Sequence, residues 1–185
     1  MNVRRPEVQM GSCDDMTVDP RNCFDLREFT TAGYSRGRSL ATFVAWWIVS
    51  HTLVQPWYGN SRLRVALLRL FGAKIGDNVF IRARVRVHLP WKLVVDDSVW
   101  LGEGVWLLNL ENVIIEKNVC LSQEVFVCTG GHDRFDPGFR YRNGPIRIGT
   151  GSWLGARAAV MPGSVLPAGE FLRASEVWPL RRTNE

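Results

Sequence analysis

The run Val95-Asp96-Asp97-Ser98-Val99-Trp100-Leu101-Gly102-Glu103-Gly104-Val105-Trp106-Leu107 decides the fold. An aliphatic residue stands at every sixth position, and four places after each comes a second small or branched residue. The spacing extends in both directions. Upstream, across a slip of two residues, it takes in Ile75, Ile81 and Val87; downstream, after another slip of two, Ile115, Leu121 and Val127. Beyond a longer interruption it resumes at Ile148, Leu154, Val160, Leu166 and Leu172. The companion positions are Val79, Val85, Val119, Val125, Ser152, Ala158 and Ser164. A period of six matches neither the 3.6 of a helix nor the plain alternation of a strand. It matches a triangular prism whose sides are short strands, with both residues of each hexapeptide pointing inward. Gly or an acid follows many of the aliphatic residues (Gly76, Asp96, Gly102, Glu116, Gly149, Gly155) and is read as the corner, where glycine relieves the backbone. Three hexapeptides form a coil, and stacked coils bury one continuous core. The expected architecture is all-β, a parallel β-helix over residues 74–177 interrupted by a loop at 131–147.

What precedes the repeats reads differently. Residues 1–38 are polar and suggest a loose arm. Residues 39–73 suggest a helical extension, with Leu63, Ala66, Leu67 and Leu70 at i, i+3, i+4 and i+7 and Gly72 at its end. The apolar run Leu40–Val49 is short of the ~20 residues that cross a bilayer. With Trp46, Trp47 and Trp57, the segment 40–57 would suit peripheral contact with a membrane interface. Packing on the rest of the protein, or on a neighbouring subunit, is the favoured expectation. Residues 1–22 lack the apolar stretch of a secretory signal, which points to the cytoplasm. Residues 178–185 form a basic tail.

Composition excludes little. The 23 basic and 18 acidic residues leave a formal charge of +5, spread over separate clusters and unaccompanied by any recognition motif, so no nucleic-acid partner is expected. The cysteines Cys13, Cys23, Cys120 and Cys128 form no CxxC pair and read as reduced thiols, the last two packed within strands. Three histidines, His51, His88 and His132, fall short of a hydratase-type zinc site on the repeats, because His51 lies outside them. No metal is expected.

Several motifs, in order, carry a family likeness. They are Leu70-Phe71-Gly72-Ala73-Lys74-Ile75-Gly76, Val99–Trp106, Leu121-Ser122-Gln123, Cys128-Thr129-Gly130-Gly131-His132-Asp133 with Asp136-Pro137, Gly155-Ala156-Arg157-Ala158 and Pro162-Gly163. Together they resemble the left-handed β-helix acyltransferases over residues 24–177, and among these the colanic-acid-type exopolysaccharide O-acetyltransferases. The resemblance implies a homotrimer, acetyl-CoA as co-substrate, and transfer of acetyl to a hydroxyl of a sugar or saccharide. A non-catalytic trimeric scaffold or binding module is the alternative.

His132 closes the repeat run where the period breaks into a loop rich in turn signals, a natural place for a site on flat-walled repeats. Neutral imidazole suits removal of a hydroxyl proton near pH 7. The resemblance makes His132 the catalytic base. It also implies that Asn109 contacts the acceptor, with Asp133, Glu103, Trp106 and Gln123 as further candidates; Asp133 could equally be a turn residue. Gly102 stands where more distant relatives carry an asparagine. For acetyl-CoA the resemblance points to Ala156 and Ala174, small enough for the pantetheine arm, with Trp153 and Arg157 beside them. Arg181 and Arg182 would meet the phosphates. Glu170, Arg173 and Glu176 depart from the repeat and suggest an irregular last coil. His51 and His88 read as structural.

Overall fold

The computed structural model describes residues 24–178. Strands appear where the hexapeptides place them, three to a coil. The first coil holds β1 (Lys74–Ile75), β2 (Phe80–Ile81) and β3 (Arg86–Val87), and the second β4 (Leu93–Val95), β5 (Trp100–Leu101) and β6 (Trp106–Leu108). The third holds β7 (Val113–Ile115), β8 (Cys120–Leu121) and β9 (Phe126–Cys128). After the loop come β10 (Ile146–Ile148), β11 (Trp153–Leu154) and β12 (Ala159–Val160), then β13 (Val165–Leu166), β14 (Phe171–Leu172) and β15 (Val177–Trp178). Like strands of successive coils pair in parallel to give three five-stranded sheets, A (β1-β4-β7-β10-β13), B (β2-β5-β8-β11-β14) and C (β3-β6-β9-β12-β15). The solenoid is a left-handed parallel β-helix of about five coils.

The inward residues are those the period selects. From Ile81 to Leu172 the aliphatic positions are buried, and Val85, Val99, Val105, Val119, Val125, Ser152, Ala158 and Ser164 fill the space between them. Ile75 and Val79, in the first coil, are only partly buried. Register explains the slip. Ile75 pairs with Val95 and Val95 with Ile115, an advance of 20 residues, whereas Ile148 pairs with Leu166, an advance of 18. The two extra residues of the early coils lie between sheets C and A. They let Leu93, Val113 and Ile146 join the core at the start of sheet A, positions outside the six-residue series.

One element of the corner reading is corrected. Except after Val87, Leu107 and Val127, the left-handed backbone falls three residues after the core aliphatic, as at Asn78 (φ 55°) and Asn118 (φ 57°), not on the residue just after it. What glycine at that earlier position supplies is space. A Cβ on Gly102 would lie 2.6 Å from the carbonyl carbon of Ser122, and one on Gly155 2.6 Å from the nitrogen of Ala174. Adjacent coils approach too closely there for any side chain.

The helical extension forms two helices. In α1 (Leu40–Val49) Ser39 caps the start by accepting from the Thr42 N–H, and α2 (Ser61–Leu70) is capped by Asn60, which accepts from the Leu63 N–H. A π-helical turn, Ser50–Val54, follows α1 directly. Trp46 is buried on the prism, where its indole N–H donates to the Val87 carbonyl at 3.0 Å. In α2 the expected apolar face is corrected: Leu63, Ala66 and Leu70 face outward, while Arg64 and Leu68 are buried. The reason is the Arg64 guanidinium. It donates to the carbonyls of Val54 and Pro56 at 2.7 Å each and ties the turn after α1 to α2. Burial, and Arg82 nearby, lower its pKa.

Candidate active site

His132 follows β9 by four residues, and a β-hairpin positions it. Gly131–Asp133 runs antiparallel to Arg140–Arg142: Asp133 N–H donates to the Arg140 carbonyl (2.9 Å) and Arg142 N–H to the Gly131 carbonyl (2.8 Å). Asn143 accepts from the Gly131 N–H at 3.1 Å and fixes the approach. The His132 Nδ1 lies 2.8 Å from the Phe139 carbonyl oxygen. A carbonyl only accepts, so the neutral ring carries its proton on Nδ1 and presents Nε2 as a lone pair. The imidazole stacks on Phe139 (centroids 4.4 Å, planes 4° apart) and leans on Tyr141 at 4.9 Å. It remains exposed. The Nδ1 contact and the stacked ring fix the orientation of an imidazole whose Nε2 makes no hydrogen bond to a described residue.

Residues 24–34 lie on this hairpin and are not loose. Phe24 stacks on Phe139 at 4.4 Å, Phe29 meets the edges of His132 and Tyr141, Tyr34 touches Tyr141, and Asp25 N–H donates to the Pro137 carbonyl. Residues 1–23, the rest of the expected arm, lie outside the described residues.

The other predicted residues sort into three groups. Asn109 is corrected. It is fully buried; its Oδ1 accepts from the N–H groups of His88 (3.1 Å) and Leu89 (2.9 Å), and its Nδ2 donates to the Leu89 carbonyl (2.6 Å). Its amide staples one interrupted corner to the next from inside the core, and burial keeps it from touching an acceptor. Asp133 serves its own turn, accepting from the Phe135 N–H at 2.9 Å.

The second group shares one edge. Glu103, Gln123, Ala156 and Ala174 occupy equivalent places on successive coils at the corner between sheets B and C, linked by Glu124 N–H to Glu103 carbonyl, Arg157 N–H to Gln123 carbonyl and Ser175 N–H to Ala156 carbonyl. Glu103 pairs with Arg84 at 2.9 Å and Arg157 with Glu124 at 2.7 Å. Two acceptor candidates and two acetyl-CoA candidates therefore form one column. Around the corner on sheet B, Trp153 is half exposed and its indole N–H donates to Ser122 Oγ at 2.9 Å. Trp106, on sheet C, lines a cleft of about 360 Å³ beneath α1 with Phe43, His51, Arg86 and His88. The Arg86 guanidinium lies over its ring at 4.2 Å, and Phe126 tilts against it. Arg181 and Arg182 lie outside the described residues.

His132 stands apart from that column. Sheet C begins at the corner beside Gln123 and ends with Cys128, so the two are separated by the width of a strand face, roughly 16 Å for five residues at ~3.3 Å each. His132 lines neither the cleft under α1 nor the one of about 760 Å³ between α2 and Gly76–Phe80. One prism carries His132 on one edge and the column on the other.

The comparisons bear on this arrangement. No protein-family model matches the chain. Over 152 residues it is 38% identical to the colanic acid biosynthesis acetyltransferase WcaF of Escherichia coli (strain K12), covering 81% of this chain and 83% of that protein. The chain belongs to this acetyltransferase family. Among solved structures, it matches the maltose O-acetyltransferase from Clostridium difficile 630 with a TM-score of 0.66 and 18% identity, over 82% of this chain and 84% of that one. It matches the hexapeptide-repeat acetyltransferase VCA0836 from Vibrio cholerae O1 biovar eltor, in complex with acetyl coenzyme A, with a TM-score of 0.68 and 16% identity, over 83% and 85%. At those identities the likeness concerns the fold.

The two described thiols and the other two histidines of the acetyltransferase chain are engaged by their surroundings. Burial pushes the thiols of Cys120 and Cys128 up, away from the thiolate a nucleophile needs. His88 is half-buried against Phe43, and burial followed by Arg36 lowers its pKa. His51 Nδ1 lies 2.7 Å from the Trp47 carbonyl. Among the described residues no cluster of histidine, cysteine or carboxylate side chains could hold a metal. The residues missed from sequence are Phe139 and Tyr141, which hold the imidazole, and Asn143, which holds Gly131. Phe139 takes a left-handed backbone (φ 48°) beside the bridge made by Tyr141, and the turn signals around them gave no sign of either contact.

Proposed function

We propose that the protein transfers the acetyl group of acetyl-CoA to a hydroxyl of a sugar or saccharide intermediate in exopolysaccharide biosynthesis. The observation that carries the mechanism is the Nδ1–Phe139 carbonyl contact, which leaves Nε2 of His132 available as a base. The acceptor hydroxyl oxygen attacks the thioester carbonyl carbon while His132 Nε2 takes the hydroxyl proton. Collapse of the tetrahedral adduct breaks the C–S bond, and the imidazolium returns the proton to the departing thiolate. Backbone N–H groups near the hairpin are suited to steady the oxyanion. Thiol release from acetyl-CoA, measured over a panel of free sugars, nucleotide sugars and oligosaccharides, tests this. Turnover on a saccharide should fall roughly 10²–10⁴-fold in His132→Ala. Undiminished turnover in that variant would refute the role of His132.

The working unit in this reading is a homotrimer. A second prism that sets its His132 hairpin against the column Glu103, Gln123, Ala156 and Ala174 of the first brings base, acceptor and acetyl-CoA together, which one chain cannot do. Trp153 and Arg157 flank the acetyl-CoA end of that groove, with Arg181 and Arg182 following in sequence, and Trp106 offers a ring near its acceptor end. Co-expression of His132→Ala with Ala156→Trp distinguishes the arrangements. Each homotrimer should be inactive and the mixture active; an inactive mixture would place the whole site within one chain. The protein would work in the cytoplasm, touching the membrane peripherally through the segment 40–57.

A further inference from the structure

The outer face of α1 has no partner among the described residues. Leu40, Val44, Trp47 and Ile48 follow the i, i+4, i+7, i+8 spacing of one helical face, and all are exposed. The row continues past the helix. Trp47 packs on His51 at 4.5 Å, the Tyr58 hydroxyl donates to the Thr52 carbonyl at 2.5 Å, and Trp57 meets Tyr58 edge-on at 6.1 Å. Leu53, Tyr58 and Trp57 are exposed in turn, Trp57 to 84%. Because Trp46 on the opposite side is buried against the prism, α1 is apolar all round, and such a helix calls for cover on both sides.

Charge says what the cover is. Between Glu28 and Asp96 the chain carries ten Lys and Arg residues and a single acid, Asp77. Arg64 is buried on carbonyls, while Arg69, Arg84 and Lys92 are paired with acids. Among the described residues, Arg36, Arg38, Arg62, Lys74, Arg82 and Arg86 have no acidic partner. From Asp96 to Trp178 the balance reverses, with ten acids against seven basic residues. The apolar row thus lies in the cationic part of the described chain, and the later coils carry a small acidic excess. A second copy meeting this face with its own would set like charges together. Exposed Trp and Tyr beside unpaired arginines are instead the composition of a surface that sits in the interfacial layer of a bilayer. No described helix is long and apolar enough to cross one.

We propose that the face formed by Leu40, Val44, Trp47, Ile48, Trp57 and Tyr58 docks the protein on an anionic lipid bilayer, with Arg36 and Arg38 at its N-terminal end against the lipid headgroups. This deepens, and rests on, the peripheral contact in the function proposed above, but needs neither acetyl-CoA nor His132. Flotation of the full chain with phosphatidylcholine vesicles, with and without phosphatidylglycerol, tests it, alongside sedimentation velocity and a thermal melt. The protein should float with the phosphatidylglycerol vesicles and release from them in high salt. Ile48→Ser/Trp57→Ser, at exposed positions, should melt like wild type and stay in the soluble fraction. Arg36→Gln/Arg38→Gln should bind about thirtyfold more weakly, from ~1 kcal/mol per basic residue near an anionic surface and ~1.4 kcal/mol per tenfold. Equal flotation on both vesicles would overturn the anionic assignment while leaving membrane contact and acetyl transfer standing. Failure to float on either overturns the docking face, and a changed sedimentation coefficient in Ile48→Ser/Trp57→Ser would then assign it to a subunit interface.

Discussion

Replacement of Asn109 by alanine separates a structural role from a binding one. The side chain makes three contacts in a fully buried position. One is partly redundant, since the His88 N–H also donates to the Leu107 carbonyl at 3.0 Å. The Leu89 carbonyl also keeps a second donor, the Lys92 N–H at 3.0 Å. Alanine therefore leaves the buried Leu89 N–H alone without a partner inside the prism, and a buried unsatisfied group costs about 1–3 kcal/mol. A water entering the vacated space would recover part of this, so the expected loss is about 1–3 kcal/mol. For a chain of this size that lowers the melting midpoint by roughly 3–10 °C. Tryptophan fluorescence during a thermal scan, with eight tryptophans as probes, measures it. Below both midpoints the KM for the saccharide should stay within about twofold of wild type, because the amide points into the prism. A midpoint displaced by less than about 2 °C, together with a KM raised tenfold or more, would refute the reasoning and return Asn109 to the acceptor site.

Two other predictions concern the loop and its surroundings. In Phe139→Ala the imidazole loses the ring stacked 4.4 Å from it but keeps the backbone carbonyl, so kcat should fall roughly ten- to hundredfold with little change in KM; an unchanged kcat would show that the hairpin alone orients the base. Glu116 binds the Thr150 hydroxyl and N–H at 2.8 Å and Arg147 at 2.6 Å, and these contacts hold its pKa below 4.5 in the fold. A carboxyl with a depressed folded pKa stabilises at neutral pH, and that contribution fades as pH falls below the unfolded value and through the folded one. Glu116→Gln should therefore destabilise the protein at pH 7 and narrow its difference from wild type in urea unfolding as the pH drops below about 4.5. A difference that is constant with pH would show that the carboxylate charge is irrelevant there.

The sequence by itself determined the solenoid. A six-residue period is set by which side chains must point inward, and burial follows it from Ile81 to Leu172 because a stacked prism leaves no other way to cover those residues. The catalytic candidate was legible for a related reason: the period breaks at His132, and a break in a regular wall is where a loop leaves it. Contacts between segments distant in sequence were beyond that reading. The apolar spacing in α2 pointed to the wrong face, since the buried side is chosen by Arg64 binding the carbonyls of Val54 and Pro56, and a helical period says nothing about polar partners on another segment. The family resemblance put Asn109 at the acceptor; only the neighbouring coil shows that it is buried and bound to the Leu89 backbone. The tertiary structure likewise decided that Phe29 lies against His132, and that His132 and the column from Glu103 to Ala174 occupy opposite edges of sheet C. Those relations depend on how the chain returns past itself every 18 or 20 residues, and a repeat fixes the direction of each side chain long before it says which groups will meet.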